Sequence, residues 1–302
     1  MAAIHGVHAA LVTPRRADAN EIDFGAALDL VDFVCRSGCD GIVLFGSTGE
    51  FVHFDIPERL KLMRLAIKRS RVPVMVNVSH SSMEGALALA REALSQGAAG
   101  LLLMPPYFFT YGQPDIEEFY RRFARAAGSR IPILLYNIPA FTSPIQFDTL
   151  AHLLATGLYA GIKDSSGSLD EFRRMIALHA QSPFTLLVGH DKIFTVARQE
   201  GADGIVSGVA SALPELMVAL EKAISSGAAR KRDKLEARLQ EFLVWIGRLP
   251  FPFAIKEAVN LRGLKAGPHA LPPSAETERT LGEFREWFRG WLPEVLKEAA
   301  GA

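Results

Sequence analysis

Along most of the chain, short apolar runs with little alternation trade places with amphipathic stretches. The apolar runs fall near Ala9–Val12, Gly41–Phe45, Pro73–Val78, Gly100–Met104, Ile131–Tyr136, Gly161–Lys163, Thr185–Val188 and Gly204–Ser207. Runs of that kind, three to six residues long and apolar on both sides, predict parallel strands buried on both faces. Between them the apolar positions recur at helical spacing, predicting helices over Phe24–Cys35, Pro57–Ser70, Met83–Gln96, Asp115–Ala127, Phe147–Ala155, Ser168–Leu178, Asp191–Glu200 and Pro214–Ser225. Start and stop residues agree. Asp55, Asp115 and Ser168 are expected N-caps, and Pro57 suits a first helical turn. Gly38, Gly97, Gly128 and Gly201 stand where helices should end.

Three phrases recur at comparable places: Ser37-Gly-Cys-Asp-Gly41, Gln96-Gly-Ala-Ala-Gly100 and Glu200-Gly-Ala-Asp-Gly204. Each reads as helix end, tight turn, next strand. Eight such units over about 225 residues predict an α/β chain folded as a (β/α)8 TIM barrel. A doubly wound open sheet is the structural rival, but no G-x-G-x-x-G follows the first strand. Beyond residue 227 the strands stop. Arg230–Gly247, Phe253–Leu261, Glu276–Arg289 and Leu292–Ala299 look helical, punctuated by Leu249-Pro-Phe-Pro-Phe253 and Gly267-Pro-His-Ala-Leu-Pro-Pro273. The expected division is a barrel over residues 1–227 and a C-terminal helical extension over 228–302, packed on it.

The balance of 33 basic and 33 acidic side chains argues against a nucleic-acid or anionic-membrane partner. No apolar run approaches the roughly 18 residues needed to span a bilayer. The opening Met-Ala-Ala-Ile-His-Gly-Val-His lacks the basic and apolar regions of a secretion signal, so a cytoplasmic location is expected. The two cysteines, Cys35 and Cys39, have neither redox nor zinc spacing and read as reduced packing residues. His5 and His8 read as part of a frayed N-terminus.

In such a barrel, chemistry sits at the C-terminal ends of the strands. The expected strand ends are Thr13-Pro14, Gly46-Ser-Thr-Gly-Glu50, Asn77 to Ser82, Pro105-Pro-Tyr-Phe-Phe109, Tyr136-Asn-Ile-Pro139, Lys163-Asp164, Gly189-His-Asp191 and Ser207-Gly208. Lys163 is the most informative of these residues. It closes an apolar stretch and is the only lysine between Lys68 and Lys192. Burial disfavours the ammonium form, and a neutral amine can condense with a ketone to form a Schiff base. The structural alternative is a lysine snorkelling from a strand end to a surface ion pair. Tyr136 lies one βα unit earlier, so its phenol is expected beside the amine, where it can shuttle protons. Gly46-Ser-Thr-Gly-Glu50 gathers backbone N–H groups and two hydroxyls that can hold a small carboxylate, or it is an ordinary capping turn. Glu50 itself reads as a structural hydrogen-bond partner.

The ordered set Gly46-Ser-Thr-Gly-Glu50, Tyr136-Asn-Ile-Pro139 and Gly161-Ile-Lys-Asp164 resembles the dihydrodipicolinate synthase / N-acetylneuraminate lyase family. Ala10-Leu-Val-Thr-Pro14, Gly201-Ala-Asp-Gly204, Leu213-Pro-Glu215 and the helical tail fit as well, so the likeness spans essentially the whole chain. The resemblance implies a class I lyase or aldolase acting on pyruvate or a related 2-oxo acid and an aldehyde. It implies no metal or organic cofactor, because the imine is the electron sink, and it implies a homotetramer. By motif match, Lys163 forms the Schiff base, Tyr136 is the proton shuttle, and Ser47 and Thr48 bind the oxo-acid carboxylate, with Thr48 also passing protons. Val206 offers backbone contacts, and Gly189 joins the substrate-binding set.

Two departures from the synthase branch of that family stand out. Its arginine two residues after Tyr-Asn-X-Pro is Phe141 here, and its second tyrosine after Pro-Tyr is Phe108. Both changes remove polar function, so an anionic aldehyde such as aspartate semialdehyde loses its charged partner. Phe108, Phe109 and Phe141 suggest a less polar second-substrate pocket. Two rivals belong to other classes. A metal-dependent barrel lyase could draw on His80, Asp164, His190 and Asp191, although no recognised ligand spacing is present and His190-Asp191 suits a helix cap. The second rival is a 2-oxo-acid-binding homologue without turnover. Sensitivity to EDTA separates the first from imine chemistry, and pyruvate binding without turnover marks the second.

Overall fold

A computed structural model describes residues 4–17, 21–128 and 131–301. Eight parallel strands close into a barrel in chain order: β1 (Gly6–Ala10), β2 (Gly41–Leu44), β3 (Val74–Asn77), β4 (Gly100–Leu103), β5 (Ile133–Asn137), β6 (Gly161–Asp164), β7 (Thr185–Val188) and β8 (Gly204–Ser207). Every residue of β1 to β6 and β8 is buried, which is why these runs show no polar alternation. The helices between them are α1 (Phe24–Arg36), α2 (Ile56–Arg69), α3 (Met83–Ser95), α4 (Gln113–Ala127), α5 (Phe147–Ala155), α6 (Leu169–Gln181), α7 (Phe194–Glu200) and α8 (Pro214–Ser225). The tail adds α9 (Ala229–Arg248), α10 (Phe253–Leu261) and α11 (Ala275–Ala300). Among the described residues no helix is long and apolar enough to cross a membrane.

The chain forms two compact units, one of residues 1–6 and 73–206, the other of residues 7–72 and 207–302. In the first, β3 to β7 lie in uninterrupted parallel register, with Leu135 opposite Ile162, Tyr136 opposite Lys163 and Asn137 opposite Asp164. In the second, β1 pairs with β2 through His8 and Gly41, and α1, α2 and the tail helices build the remaining core. Phe242 of α9 packs against Phe284, Phe288 and Trp291 of α11, its ring stacked on Trp291 at 6.0 Å.

The recurring Gly-x-x-Gly phrases now have a physical content. Asp40 accepts the backbone N–H of Val7 at 2.8 Å, and Asp203 accepts that of Leu186 at 2.7 Å. In both, the residue before the strand's first glycine ties the new strand to the one preceding it. Gly38 and Gly97 adopt φ of +87° and +79° just past their helices, and Gly128 and Gly201 are C-caps. Ser168 and Asp55 cap α6 and α2 as expected, accepting from Glu171 and Glu58.

Four expectations need correction. β1 begins at Gly6 rather than Ala9, and His8 is buried in it, so the His5–His8 segment is not frayed. The Gly6 N–H bonds to the Asp203 carbonyl at 3.0 Å, which extends the strand into residues with no apolar signature. Asp115 is not an N-cap. Gly112 is, with Pro114 in the first turn and Asp115 following it. Asp191–Ile193 forms a 3₁₀ turn before α7. The last two predicted helices are one, α11, which runs through Pro293. A proline removes one backbone hydrogen bond, but Phe288, Trp291 and Val295 are buried on either side of it, and that packing carries the helix across. Both cysteines are free thiols, and burial pushes the Cys39 thiol up to about 12. Residues 1–3 of the N-terminal segment lie outside the described residues.

Candidate active site

Lys163 and Tyr136, the two residues the sequence singles out first, lie side by side in the first unit. Because they are register partners on adjacent parallel strands, their side chains leave the sheet on the same face. Lys163 is 3% exposed and Tyr136 is fully buried. The amine lies over the aromatic face, with Nζ 3.9 Å from the ring centroid. An ammonium is attracted to that face, and a strand-end lysine so placed is not snorkelling to solvent.

The next residue on each strand points to the opposite face and locks the register. Asn137 Nδ2 donates to Asp164 Oδ1 at 2.6 Å, and Asn137 Oδ1 accepts the Ile145 N–H at 3.0 Å. Ser166 donates its hydroxyl to Asp164 Oδ2 at 2.6 Å. Burial holds the Asp164 carboxyl above the usual carboxylate range, and the bonds from Ser166 and Asn137 offset only part of that rise. A cleft of about 360 Å³ opens on this side, lined among others by Ile145, Asp148, Asp164 and Arg174. It sits behind the strands and does not include Lys163.

Gly189, at the end of β7, is where a side chain would collide with the amine. A Cβ there would stand 2.8 Å from Lys163 Cε and 2.1 Å from Ser165 Oγ. Ser165 donates to the Gly189 carbonyl at 3.0 Å and so fills the space on that side. Val206 is buried in β8. Phe108 and Phe141, by contrast, are 89% and 56% exposed on the loops after β4 and β5. Phe108 meets Phe109 edge to face at 4.9 Å and holds φ at +87°. The two loops are knitted by the Tyr111 N–H donating to Ser143 Oγ at 2.9 Å and by Gln113 donating to the Pro144 carbonyl at 2.8 Å.

His80 and His190 serve local backbone. His80 Nδ1 accepts the Ser82 N–H at 3.0 Å, and His190 Nδ1 accepts the Lys192 N–H at 3.4 Å. Among the described residues no three His, Cys, Asp or Glu side chains cluster in a way that could hold a metal ion.

In the second unit, the Gly46–Glu50 loop is two overlapping turns. The Gly49 N–H bonds to the Gly46 carbonyl and the Glu50 N–H to the Ser47 carbonyl, both at 3.0 Å. Gly49 is needed because a Cβ would press to 3.0 Å from the Leu11 carbonyl oxygen. Thr48 is buried and Ser47 partly so. Thr48 Oγ1 lies against Gly208, where a Cβ would come within 2.9 Å.

Sequence reasoning missed two charged residues here. Lys256 of α10 donates to Glu50 Oε2 at 2.9 Å, and it is fully buried. The criterion that singled out Lys163, a lysine inside an apolar run, applies equally to Phe253-Ala-Ile-Lys-Glu-Ala-Val259 and would have found it. Arg15 is buried with its guanidinium 4.3 Å over the Phe54 ring. No pattern at Thr13-Pro14 pointed to it.

A closed parallel barrel with a buried lysine and tyrosine in register at neighbouring strand ends defines a class of barrel enzymes. The chain belongs to the dihydrodipicolinate synthetase family, whose pattern matches residues 3–283, and it is a lyase of that family. It is 33% identical to the 4-hydroxy-tetrahydrodipicolinate synthase of Azoarcus sp. (strain BH72), over 94% of this chain and 98% of that one. Among solved structures it resembles a prophage protein of the dihydrodipicolinic acid synthase family from E. coli K12 in complex with pyruvate. That match has a TM-score of 0.87 and 27% identity, over 96% and 99% of the two chains. The sialic acid aldolase of Ruminococcus gnavus shares the fold at a TM-score of 0.86, with 20% identity over 97% and 99% of the two chains.

Proposed function

We propose that the chain is a class I Schiff-base lyase acting on pyruvate or a related 2-oxo acid, which it joins to, or releases from, an aldehyde. The observation that carries the reading is the buried Lys163 amine lying over the Tyr136 ring between register partners. As the free base, Nζ attacks C2 of the oxo acid. The carbinolamine takes up a proton, loses water and becomes the imine. Loss of a C3 proton then gives the enamine, whose C3 adds to the aldehyde carbonyl. Hydrolysis of the product imine returns the amine, and the reverse sequence cleaves the same carbon–carbon bond. Tyr136 moves the protons of addition and dehydration, in relay with Thr48. Ser47 and Thr48 take the substrate carboxylate, and backbone at Val206 borders the imine. Gly189 leaves the lysine its path. No metal or organic cofactor enters these steps.

The second substrate in this reading is uncharged or partly apolar. By the resemblance, Phe141 and Phe108 stand where the synthase branch carries arginine and tyrosine, and Phe109, in edge-to-face contact with Phe108, is exposed as they are. Without its guanidinium partner, an anionic aldehyde forgoes about 1.5–3 kcal/mol of charge-assisted hydrogen bonding. The names of the curated relatives favour a second reading, 4-hydroxy-tetrahydrodipicolinate synthase itself. We propose a homotetramer on the family resemblance, the 227/228 division between barrel and tail on the loss of the strand pattern there, and a cytoplasmic location on the reading of both cysteines as reduced packing residues. Steady-state kinetics with pyruvate and a panel of aldehydes tests the function. Turnover best with neutral or aromatic aldehydes, and abolished by Lys163→Met, is expected. Preference for aspartate semialdehyde selects the second reading, and pyruvate binding without turnover on any aldehyde removes both.

A further inference from the structure

Glu50 ends the Gly46–Glu50 loop in the left-handed region, φ +50°, with its carboxylate turned into the protein. The amine that meets it comes from 206 residues further along the chain. Replacing a buried ion pair with apolar side chains is often neutral or stabilising, so such a pair is weak evidence of adhesion for its own sake. A second contact is made at the same place. The space a Cβ would take at Gly208 is bounded by Thr48 Oγ1 at 2.9 Å and by Ile255 Cδ1 at 3.1 Å. α10 therefore touches the loop's surroundings twice in succession, through Ile255 beside Thr48 and through Lys256 on Glu50. Arg15 lies within electrostatic reach of both Glu50 and Lys256. Its Nε and Nη2 are buried without a hydrogen-bond partner among the described residues. Arg15 also feels the Glu58 carboxylate, so Lys256 and Arg15 share Glu50 within a mixed cluster of buried charge.

We propose that Lys256 and Glu50 are a positioning pair for the Ser47 and Thr48 hydroxyls, so that the C-terminal helical tail sets the affinity for the 2-oxo-acid carboxylate. Neither residue touches the reacting atoms. Lys256 holds the Glu50 carboxylate, the carboxylate holds the end of the double turn, and the turn presents the two hydroxyls. The inference rests on the proposed Schiff-base reading. It goes beyond that reading by assigning the tail a share in recognising one substrate and not the other.

The test uses full-length protein and borohydride trapping across a pyruvate titration, with aldehyde half-saturation measured in parallel. Glu50→Asp keeps the charge but withdraws the carboxylate by one methylene. It should raise the pyruvate needed for half-maximal trapping by about tenfold, equivalent to about 1.4 kcal/mol, while aldehyde half-saturation stays within about twofold. Glu50→Gln keeps the reach of the side chain but removes the charge that Lys256 meets, so it should weaken the pyruvate dependence at least as much as Glu50→Asp. Lys256→Met should match or exceed Glu50→Asp; if it does not fold, Glu50→Asp decides alone. A folded Glu50→Asp protein with unchanged pyruvate dependence, or with both substrates weakened equally, overturns the proposal. Absence of any adduct in the wild type overturns the Schiff-base reading and this inference together, whereas an adduct in the wild type with no shift in Glu50→Asp removes only the positioning role.

Discussion

Gly189→Ala is the sharpest small perturbation of the site, because one methyl group is asked to share space with the nucleophile's own side chain. The added Cβ would sit 2.8 Å from Lys163 Cε. Carbon pairs settle at about 3.5–4.0 Å, so the lysine must retreat by roughly an ångström. The same atom would stand 2.1 Å from Ser165 Oγ and 2.9 Å from the Asp164 carbonyl oxygen. The serine can rotate away only by giving up its bond to the Gly189 carbonyl, a loss of about 0.5–1.5 kcal/mol. Overpacking adds about 1–3 kcal/mol, for a total of about 1.5–4.5 kcal/mol, or a Tm lowered by roughly 3–9 °C. A displacement of about 1 Å at the reacting atom can cost on the order of a hundredfold in rate. The assay pairs thermal denaturation with the rate of pyruvate-dependent borohydride trapping. Gly247→Ala serves as control, since a Cβ there meets nothing within 4 Å. A Gly189→Ala protein with wild-type Tm and wild-type trapping rate would refute the packing argument.

Two further predictions concern the scaffold. Asn137→Ala removes a donor to buried Asp164 and the acceptor of the Ile145 N–H; it should cost on the order of 3 kcal/mol, read as a Tm drop of roughly 6 °C or more. A change under about 1 °C would show that the register does not depend on this bond. His269 is stacked on Phe253 at 3.8 Å, and burial, aided by nearby Lys256, holds its imidazole below the ordinary value of 6.5. Its folded-state pKa is depressed, so its contribution to stability is present above pH about 6.5 and is lost as pH falls through the folded value. His269→Asn should flatten the fall of Tm with acidification in that range, and an unchanged pH profile would contradict this.

The barrel was legible because its strands are buried on both faces. Thr185–Val188 and Gly204–Ser207 read correctly to the residue, since nothing polar interrupts them and glycine or proline bounds them. What failed to show were elements held by partners rather than by pattern. β1 reaches back to Gly6 because Asp203 and Asp40 supply hydrogen bonds from distant turns. α11 crosses Pro293 because an aromatic core holds both halves. The site divides in the same way. The strand-end positions of Lys163, Tyr136 and Gly189 were legible because a strand end is a local feature, and register then brings the first two together. Lys256 could not be tied to Glu50 from sequence, because a contact across 206 residues leaves no periodicity. The exposure of Phe108 and Phe141 is likewise decided by loop geometry, including a left-handed phenylalanine that no residue preference announces.

The most direct measurement is reduction with borohydride in the presence of pyruvate, followed by peptide mass spectrometry. The account predicts a single stable adduct on Lys163, dependent on pyruvate and absent from Lys163→Met. An intact, folded protein that acquires no adduct, or one that carries it on Lys256 or a surface lysine instead, would contradict it.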